Sequence, residues 1–236
     1  MAINRDSNGY TFGFAIALVV VVGTILASLS LGLADIKKAN AEKKKKMDIL
    51  SAIGIESTRS TVDGIYDETV LNSFVVDATG NVIEGEKAFS VDVRNQYRNK
   101  TIEKADRKYP VFEAKNAEGK MITILPVVGA GLWGPIWGYI AIGEDNETIA
   151  GAAFDHKGET PGLGAEIKQS FFEDRWVGEK ISVNNEFQPI QVVKDGSGVN
   201  EMKVDGITGG TITSVGVGEM MNRTMAVYVK YFNNKK

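Results

Sequence analysis

The chain has 236 residues, a net charge of −3, no cysteine and a single histidine, His156. That length holds one sizeable domain or two small ones, plus an anchor. There is no basic excess for nucleic acid, no thiolate for an iron–sulfur cluster, disulfide or cysteine-held zinc, and too few histidines for a His-rich metal site or bis-histidine haem, so redox chemistry here needs an organic cofactor.

From Ser7 to Ala34 no residue is charged. The run is long enough to cross a bilayer as a helix, which places a span over 11–34 behind a tail of residues 1–10. A cleaved signal peptide is the rival, because Gly32-Leu33-Ala34 resembles a small-residue cleavage site. Against it, the apolar region is about twice the usual signal length. The tail carries only Arg5, offset by Asp6. Residues 35–56 are strongly charged, with Lys37, Lys38, Glu42 and the run Lys43 to Lys46. They contain no Gly or Pro before Gly54, which predicts a helix running on to about Ile53. The lysines read as a solvated face or a contact with membrane lipid headgroups. The positive-inside tendency would put this end, and the domain after it, in the cytoplasm.

Residues 72–143 read mostly as β. Ser73 to Val76 and Val82-Ile83 flank the turn Asp77 to Asn81, a hairpin signal. Tyr109 to Phe112 and Met121 to Leu125 flank a second one at Asn116 to Lys120. Gly129 to Gly138 reads as a glycine-rich loop with two tryptophans, leading into a strand at Tyr139 to Ile142 and its antiparallel partner at Thr148 to Phe154. His156 to Glu166 contains three glycines and a proline, so it is a loop. Ala165 to Trp176 then predicts a helix with Ile167, Phe171, Phe172 and Trp176 on its apolar face. Glu159 and Thr160 fit turn chemistry and helix capping, or a loop whose backbone lies against a planar ligand. His156 alone reads as a surface or hydrogen-bonded histidine rather than a catalyst. Gln188 to Lys194 predicts a strand, followed by a loop over Asp195 to Val199. Lys194 is an ordinary strand-end lysine or a cation beside an anionic cofactor. The segment Thr224 to Phe232 is ambiguous between strand and helix.

The densest cluster is Asp205-Gly206-Ile207-Thr208-Gly209-Gly210-Thr211, followed by the apolar segment Ile212 to Met221. It reads either as a tight turn or as a cofactor attachment site with a hydroxyl on an unobstructed backbone. If the following segment is a helix, Thr211 stands at its N-terminal end, where free N–H groups and the helix dipole favour a phosphate.

This cluster resembles Asp-x-x-Thr/Ser-Gly-Ala-Thr, the signature of domains that carry FMN on the last threonine, with Gly210 in place of the usual alanine. Together with Gly131-Leu132-Trp133, Gly158-Glu159-Thr160-Pro161-Gly162-Leu163-Gly164 and Ile212-Thr213-Ser214, it makes nearly the whole chain resemble the C subunit of the sodium-translocating NADH:quinone oxidoreductases of bacterial respiratory membranes. The G subunit of the Rnf complex shares the flavinylation motif. The resemblance implies an α+β protein: a single transmembrane helix, then a mixed α/β domain with antiparallel strands over 57–236, binding FMN covalently. It implies FMN esterified to Thr211, with Thr208, Gly209 and Gly210 shaping the phosphate end. Glu159, Thr160, Leu163 and Gly164 match a loop packed along the flavin, and Lys194 a lysine near it. Asp205 matches the part of the motif read by a flavin transferase, which uses magnesium and FAD. No side chain is implied as acid, base or metal ligand. The implied role is an electron relay from an iron–sulfur centre to another flavin, beside other subunits in the inner membrane, with the domain on the periplasmic side. A stand-alone membrane-tethered flavin reductase, an Rnf-type subunit and a binding module in which 205–211 is only a turn remain alternatives.

Overall fold

The computed structural model describes residues 7–194, 196–197 and 202–235, which form two compact units divided between Lys44 and Lys45. Arg5, Asp6 and most of the loop expected over Asp195 to Val199 lie outside the described residues.

In the first unit, Ser7 caps helix α1 (Asn8–Gly32) by accepting a hydrogen bond from the Tyr10 amide at 3.2 Å. All of α1 past the cap is exposed, and it carries no charge. An 18-residue stretch of it has a mean hydropathy of 2.6, and its 25 residues span about 37 Å at 1.5 Å per residue, more than a hydrocarbon core needs. Helix α2 (Ala34–Ser51) follows after a break at Leu33, whose N–H returns to the Leu29 carbonyl. The single helix expected to reach Ile53 is therefore two helices, and the second ends at Ser51. Gly54, with φ +74°, lies in the turn beyond.

The second unit is built on a six-stranded antiparallel sheet: β1 (Val70–Val76), β2 (Val82–Ile83), β3 (Tyr109–Lys115), β4 (Met121–Ala130), β5 (Pro135–Ile142) and β6 (Ile149–His156), in the order β2-β1-β3-β4-β5-β6. Both expected hairpins are present. The loop expected over Gly129 to Gly138 shrinks to residues 131–134, because β4 and β5 pair as far as Ala130 opposite Pro135. Between its ends β4 is buried on both faces, which explains an apolar run interrupted only by Thr123.

Side chains alternate across the strands, so the sheet has two cores. One face carries Leu125, Val127, Ile136 and Ile140 against helix α6 (Thr211–Asn234), which buries Val217, Met220, Met221, Met225 and Tyr228. This settles the ambiguous C-terminal stretch as helix. Its β-branched residues continue a buried stripe, and packing outweighs their strand preference. The other face carries Phe112, Ile122, Ile124, Tyr139 and Ala141 against Ile49 and Ala52 at the end of α2 and Ala88 and Val91 between β2 and helix α4 (Val93–Arg98). Here the lysine run takes on a second role. Lys45 Nζ donates to the carbonyls of Phe89 and Val91 and lies over the Phe89 ring, and burial brings its pKa down to about 8. Lys46 pairs with Asp63 of helix α3 (Val62–Thr69) at 2.9 Å and lies over the Tyr66 ring.

The helix expected over Ala165 to Trp176 is a 3-10 turn, a single turn of helix α5 (Ser170–Glu173) and a second 3-10 turn. Ile167, Phe172 and Trp176 are buried as expected, but Phe171 is 49% exposed. Between β6 and α6 the chain also forms a small hairpin, β7 (Ser182–Val183) with β8 (Glu186–Phe187). It then forms a parallel pair, β9 (Gln191–Val193) with β10 (Lys203–Asp205). The strand expected from Gln188 thus begins three residues later.

Candidate functional site

Three stretches distant in sequence meet at the N-terminal end of α6: the turn 131–134, the loop 157–164 and the segment 205–210. Small residues allow it. A Cβ on Gly131 would stand 2.6 Å from Glu159 Oε1, and one on Gly164 would stand 2.6 Å from Glu159 Oε2. Gly209 has φ +75°, a left-handed conformation that suits glycine, and Leu163 packs over it. Farther along the helix, the missing side chain of Gly216 lets α6 touch the Ala130 carbonyl.

Glu159 is 4% exposed and ties the loop 157–164 to the turn 131–134 and to the first turn of α6. Its Oε1 accepts from the Trp133 amide at 2.8 Å, and its Oε2 accepts from the Thr213 hydroxyl at 2.6 Å. Its own N–H donates to His156 Nδ1 at 3.0 Å, which gives His156 a structural role. Glu159 was expected on a loop along the flavin. Its carboxylate turns inward, and the outward surface of that loop is Thr160 and Leu163, both exposed.

The segment 205–210 is anchored on both sides of Thr208-Gly209. The Gly206 N–H donates to the Val193 carbonyl at 2.8 Å, and Arg175 Nη1 donates to the carbonyls of Asp205 and Gly206 at 2.7 and 3.3 Å. The Ser214 hydroxyl accepts from the Ile207 N–H at 2.9 Å and donates to the Gly210 carbonyl at 3.0 Å. The Gly210 N–H turns back to the Ile207 carbonyl at 2.9 Å. Left over are the N–H groups of Thr208, Gly209, Thr211, Ile212 and Thr213, which make no hydrogen bond to the described residues. Thr211 is half-buried at the first position of α6, and its hydroxyl has no partner among the described residues either. The same stretches and the first turns of α6 carry exposed apolar side chains: Leu132, Trp133 (70%), Leu163, Ile212 (58%) and Val215.

Of the residues expected from sequence, Thr208, Gly209, Gly210, Thr211, Leu163 and Gly164 are thus brought together. Lys194 is exposed and follows β9, whose Val193 lies beside Asp205. Asp205 sits at the end of β10, with its carbonyl held by Arg175. Thr213, Ser214 and Arg175 were not expected as site residues. Two hydroxyls in the first turn of an apolar helix were a readable signal for the first pair. Nothing in the sequence marks Arg175, which is 30 residues from the carbonyl it holds.

A model of the FMN-binding domain family matches residues 131–226, which spans all three stretches. The C subunit of the Na(+)-translocating NADH-quinone reductase of Vibrio parahaemolyticus is 34% identical, over 92% of this chain and 90% of the relative. This chain belongs to that C-subunit family. Among solved structures, the C subunit of the Na(+)-translocating NADH-quinone reductase of Parabacteroides distasonis superposes with a TM-score of 0.74 at 40% identity, covering 84% of this chain and 96% of that one. NqrC of Shewanella oneidensis superposes at 0.70 with 24% identity, covering 84% and 98%, and shares the fold. The α+β architecture read from the sequence is therefore that of the C-subunit family. In such a site a phosphate would be held by main-chain N–H groups and a helix N-terminus, and a planar ring by apolar side chains.

Proposed function

We propose that this chain is the electron-relay subunit of a sodium-translocating NADH:ubiquinone oxidoreductase and carries FMN as a phosphoester on Thr211. The observation that carries the reading is the arrangement of unengaged N–H groups at 208, 209 and 211–213 around an unpartnered threonine hydroxyl. These groups fit a phosphate dianion, and the apolar rim of Leu132, Trp133, Leu163, Ile212 and Val215 fits an isoalloxazine ring. When bound, FMN supplies the electron-carrying chemistry. The chain's own residues anchor, orient and shield it. The ester prevents loss of the cofactor by raising its effective concentration. Thr208, Gly209 and Gly210 shape the phosphate end, Thr160, Leu163 and Gly164 line the ring side, and Lys194 places a cation beside the segment. Glu159 acts one layer beneath, by holding Thr213 and the turn at Trp133.

A separate flavin transferase makes the ester and recognises Asp205. Electrons arrive from an iron–sulfur centre of a partner subunit and leave to another flavin; sodium crosses through partner subunits that span the membrane many times. Residues 11–34 anchor the chain in the inner membrane behind a short tail, residues 35–56 form the charged extension in contact with lipid headgroups, and residues 57–236 form the flavin domain on the periplasmic side. The last turns of the extension complete the domain, since Ile49 and Leu50 are fully buried in it.

Intact mass and peptide mapping test this on protein made with an active transferase. A peptide containing Thr211 should carry FMN; wild-type protein without the adduct would sink the reading. Thr211→Val should stay folded, within about 0.5 kcal/mol of wild type, and carry no flavin, because the native hydroxyl has no partner to lose. Thr211→Ser should keep the adduct. Sidedness is read by a cysteine at exposed Glu118 in this cysteine-free chain. An impermeant thiol reagent should label it in cells whose inner membrane is intact, and labelling only after lysis would reverse the orientation.

A further inference from the structure

One edge of the sheet is left open among the described residues. β2 pairs with β1 only at Val75 and Val76, whereas β3 pairs with β1 down to Val70. Pro110 stands opposite Val75 and has no N–H, so Val75 directs its polar groups to Ile83 on the outer side. By the two-residue alternation of an antiparallel ladder, Ser73 directs its N–H and C=O to the same outer side, beyond the end of β2. The register shift between Val70 and Asn72 ends the regular ladder below it, which centres the open stretch on Ser73. Leu71, Asn72 and Ser73 are all exposed, and none of them is a Lys, Pro or charged residue of the kind that usually blunts an edge.

Beside this edge lies a groove of about 380 Å³, within the size range of binding clefts. Phe74 and Tyr231, with ring centroids 5.6 Å apart, and Val82 give it an apolar floor. Glu113 and Lys235 give it a charged rim. Glu113 Oε1 meets Lys235 Nζ at 2.7 Å, and Oε2 accepts from Asn72 Nδ2 at 3.1 Å. The two side chains are 17% and 50% exposed respectively, so Lys235 is the more accessible member of the pair.

We propose that this edge and groove receive an extended segment of a partner polypeptide, which adds a strand beside Ser73, sets an apolar side chain on Phe74, Val82 and Tyr231, and brings a carboxylate to Lys235. An open strand edge is matched by another extended backbone, and the adjoining groove reads its alternate side chains. Lys235 is half-exposed beside its pair with Glu113 and can take a second carboxylate, which favours acidic segments. The inference is independent of the flavin reading, because the groove lies at the C-terminal end of α6 and Thr211 at its N-terminal end.

The test uses the full chain in its own membrane assembly and again after dissociation in detergent. In the assembly, the Ser73 amide should exchange hydrogen about tenfold more slowly than in the dissociated chain. A photo-crosslinker at Val82 should join one segment of another polypeptide in the assembly. Lys235→Gln and Lys235→Glu should both lower the crosslink yield severalfold, the second more, with flavin content unchanged. Equal exchange of Ser73 in the two states overturns the proposal. So do crosslinks that reach only lipid or a second copy of this chain, and so does a yield indifferent to both substitutions.

Discussion

The two ends of α6 are made differently. At the C-terminal end the residues are large and their polar atoms are engaged within the chain. Tyr228 is fully buried, donates its hydroxyl to the Pro110 carbonyl at 2.7 Å and stands edge-on to Tyr109. Asn234 Nδ2 bridges the Thr79 carbonyl and Asn81 Oδ1 across the β1–β2 turn. At the N-terminal end the residues are small, several main-chain N–H groups are unengaged, and Ile212 and Val215 face solvent. The first kind of end stabilises the fold; the second leaves hydrogen-bonding capacity for something else to complete.

The largest expected effect lies at the closed end. Tyr228→Ala removes a fully buried aromatic ring and should cost about 3–5 kcal/mol in urea unfolding. Tyr228→Phe leaves the Pro110 carbonyl without its donor and should cost about 1–2 kcal/mol. In neither variant should flavin per folded molecule change. A fall in that ratio for Tyr228→Phe would show that the two ends are not separable.

Glu159 is the exception at the open end, a buried carboxylate with committed partners. Glu159→Ala strands the Thr213 hydroxyl and the Trp133 N–H, and should cost about 1–3 kcal/mol. Here stability and flavin incorporation should fall together, the latter severalfold, because the same bonds position the turn and the first turn of α6. Glu159→Gln, which keeps an acceptor and the shape, should recover most of the stability. A Glu159→Ala protein that loads flavin fully would make this residue a matter of folding alone.

How much of the molecule is legible in the sequence follows the same division. The open end is written locally. Glycines cluster where segments approach, and a threonine precedes an apolar run, so Thr208 to Thr211 stand out from residue order alone. The sheet is legible because turn residues and strand alternation are short-range signals. What stays hidden is long-range. The β-branched run at 224–229 could not reveal itself as helix without the face of β4 that it packs on. The lysine run suggests a solvated or lipid-facing helix, while Lys45 and Lys46 bind groups 17 to 46 residues away. Arg175 and the inward turn of Glu159 likewise depend on partners that only the fold supplies.

The smallest effect tests the layer behind the open end. Glu173 accepts the Phe154 amide at 2.7 Å, two residues before the Arg175 that holds the Asp205 and Gly206 carbonyls. Burial, with a smaller push from Asp174 and Asp155, raises its pKa to about 7. A carboxyl whose folded pKa lies above its unfolded value binds more protons folded than unfolded. Its contribution is therefore complete below about pH 4.5 and is lost as pH rises through about 7. Glu173→Gln keeps the acceptor oxygen and abolishes the titration. It should be more stable than wild type at pH 8 by on the order of 1 kcal/mol, since partial exposure screens the charge. The difference should vanish by about pH 4.5, where both side chains are neutral. If wild type and Glu173→Gln share one stability profile across that window, the ionised carboxylate is solvated in place and the layer behind the motif is as open to water as the motif itself.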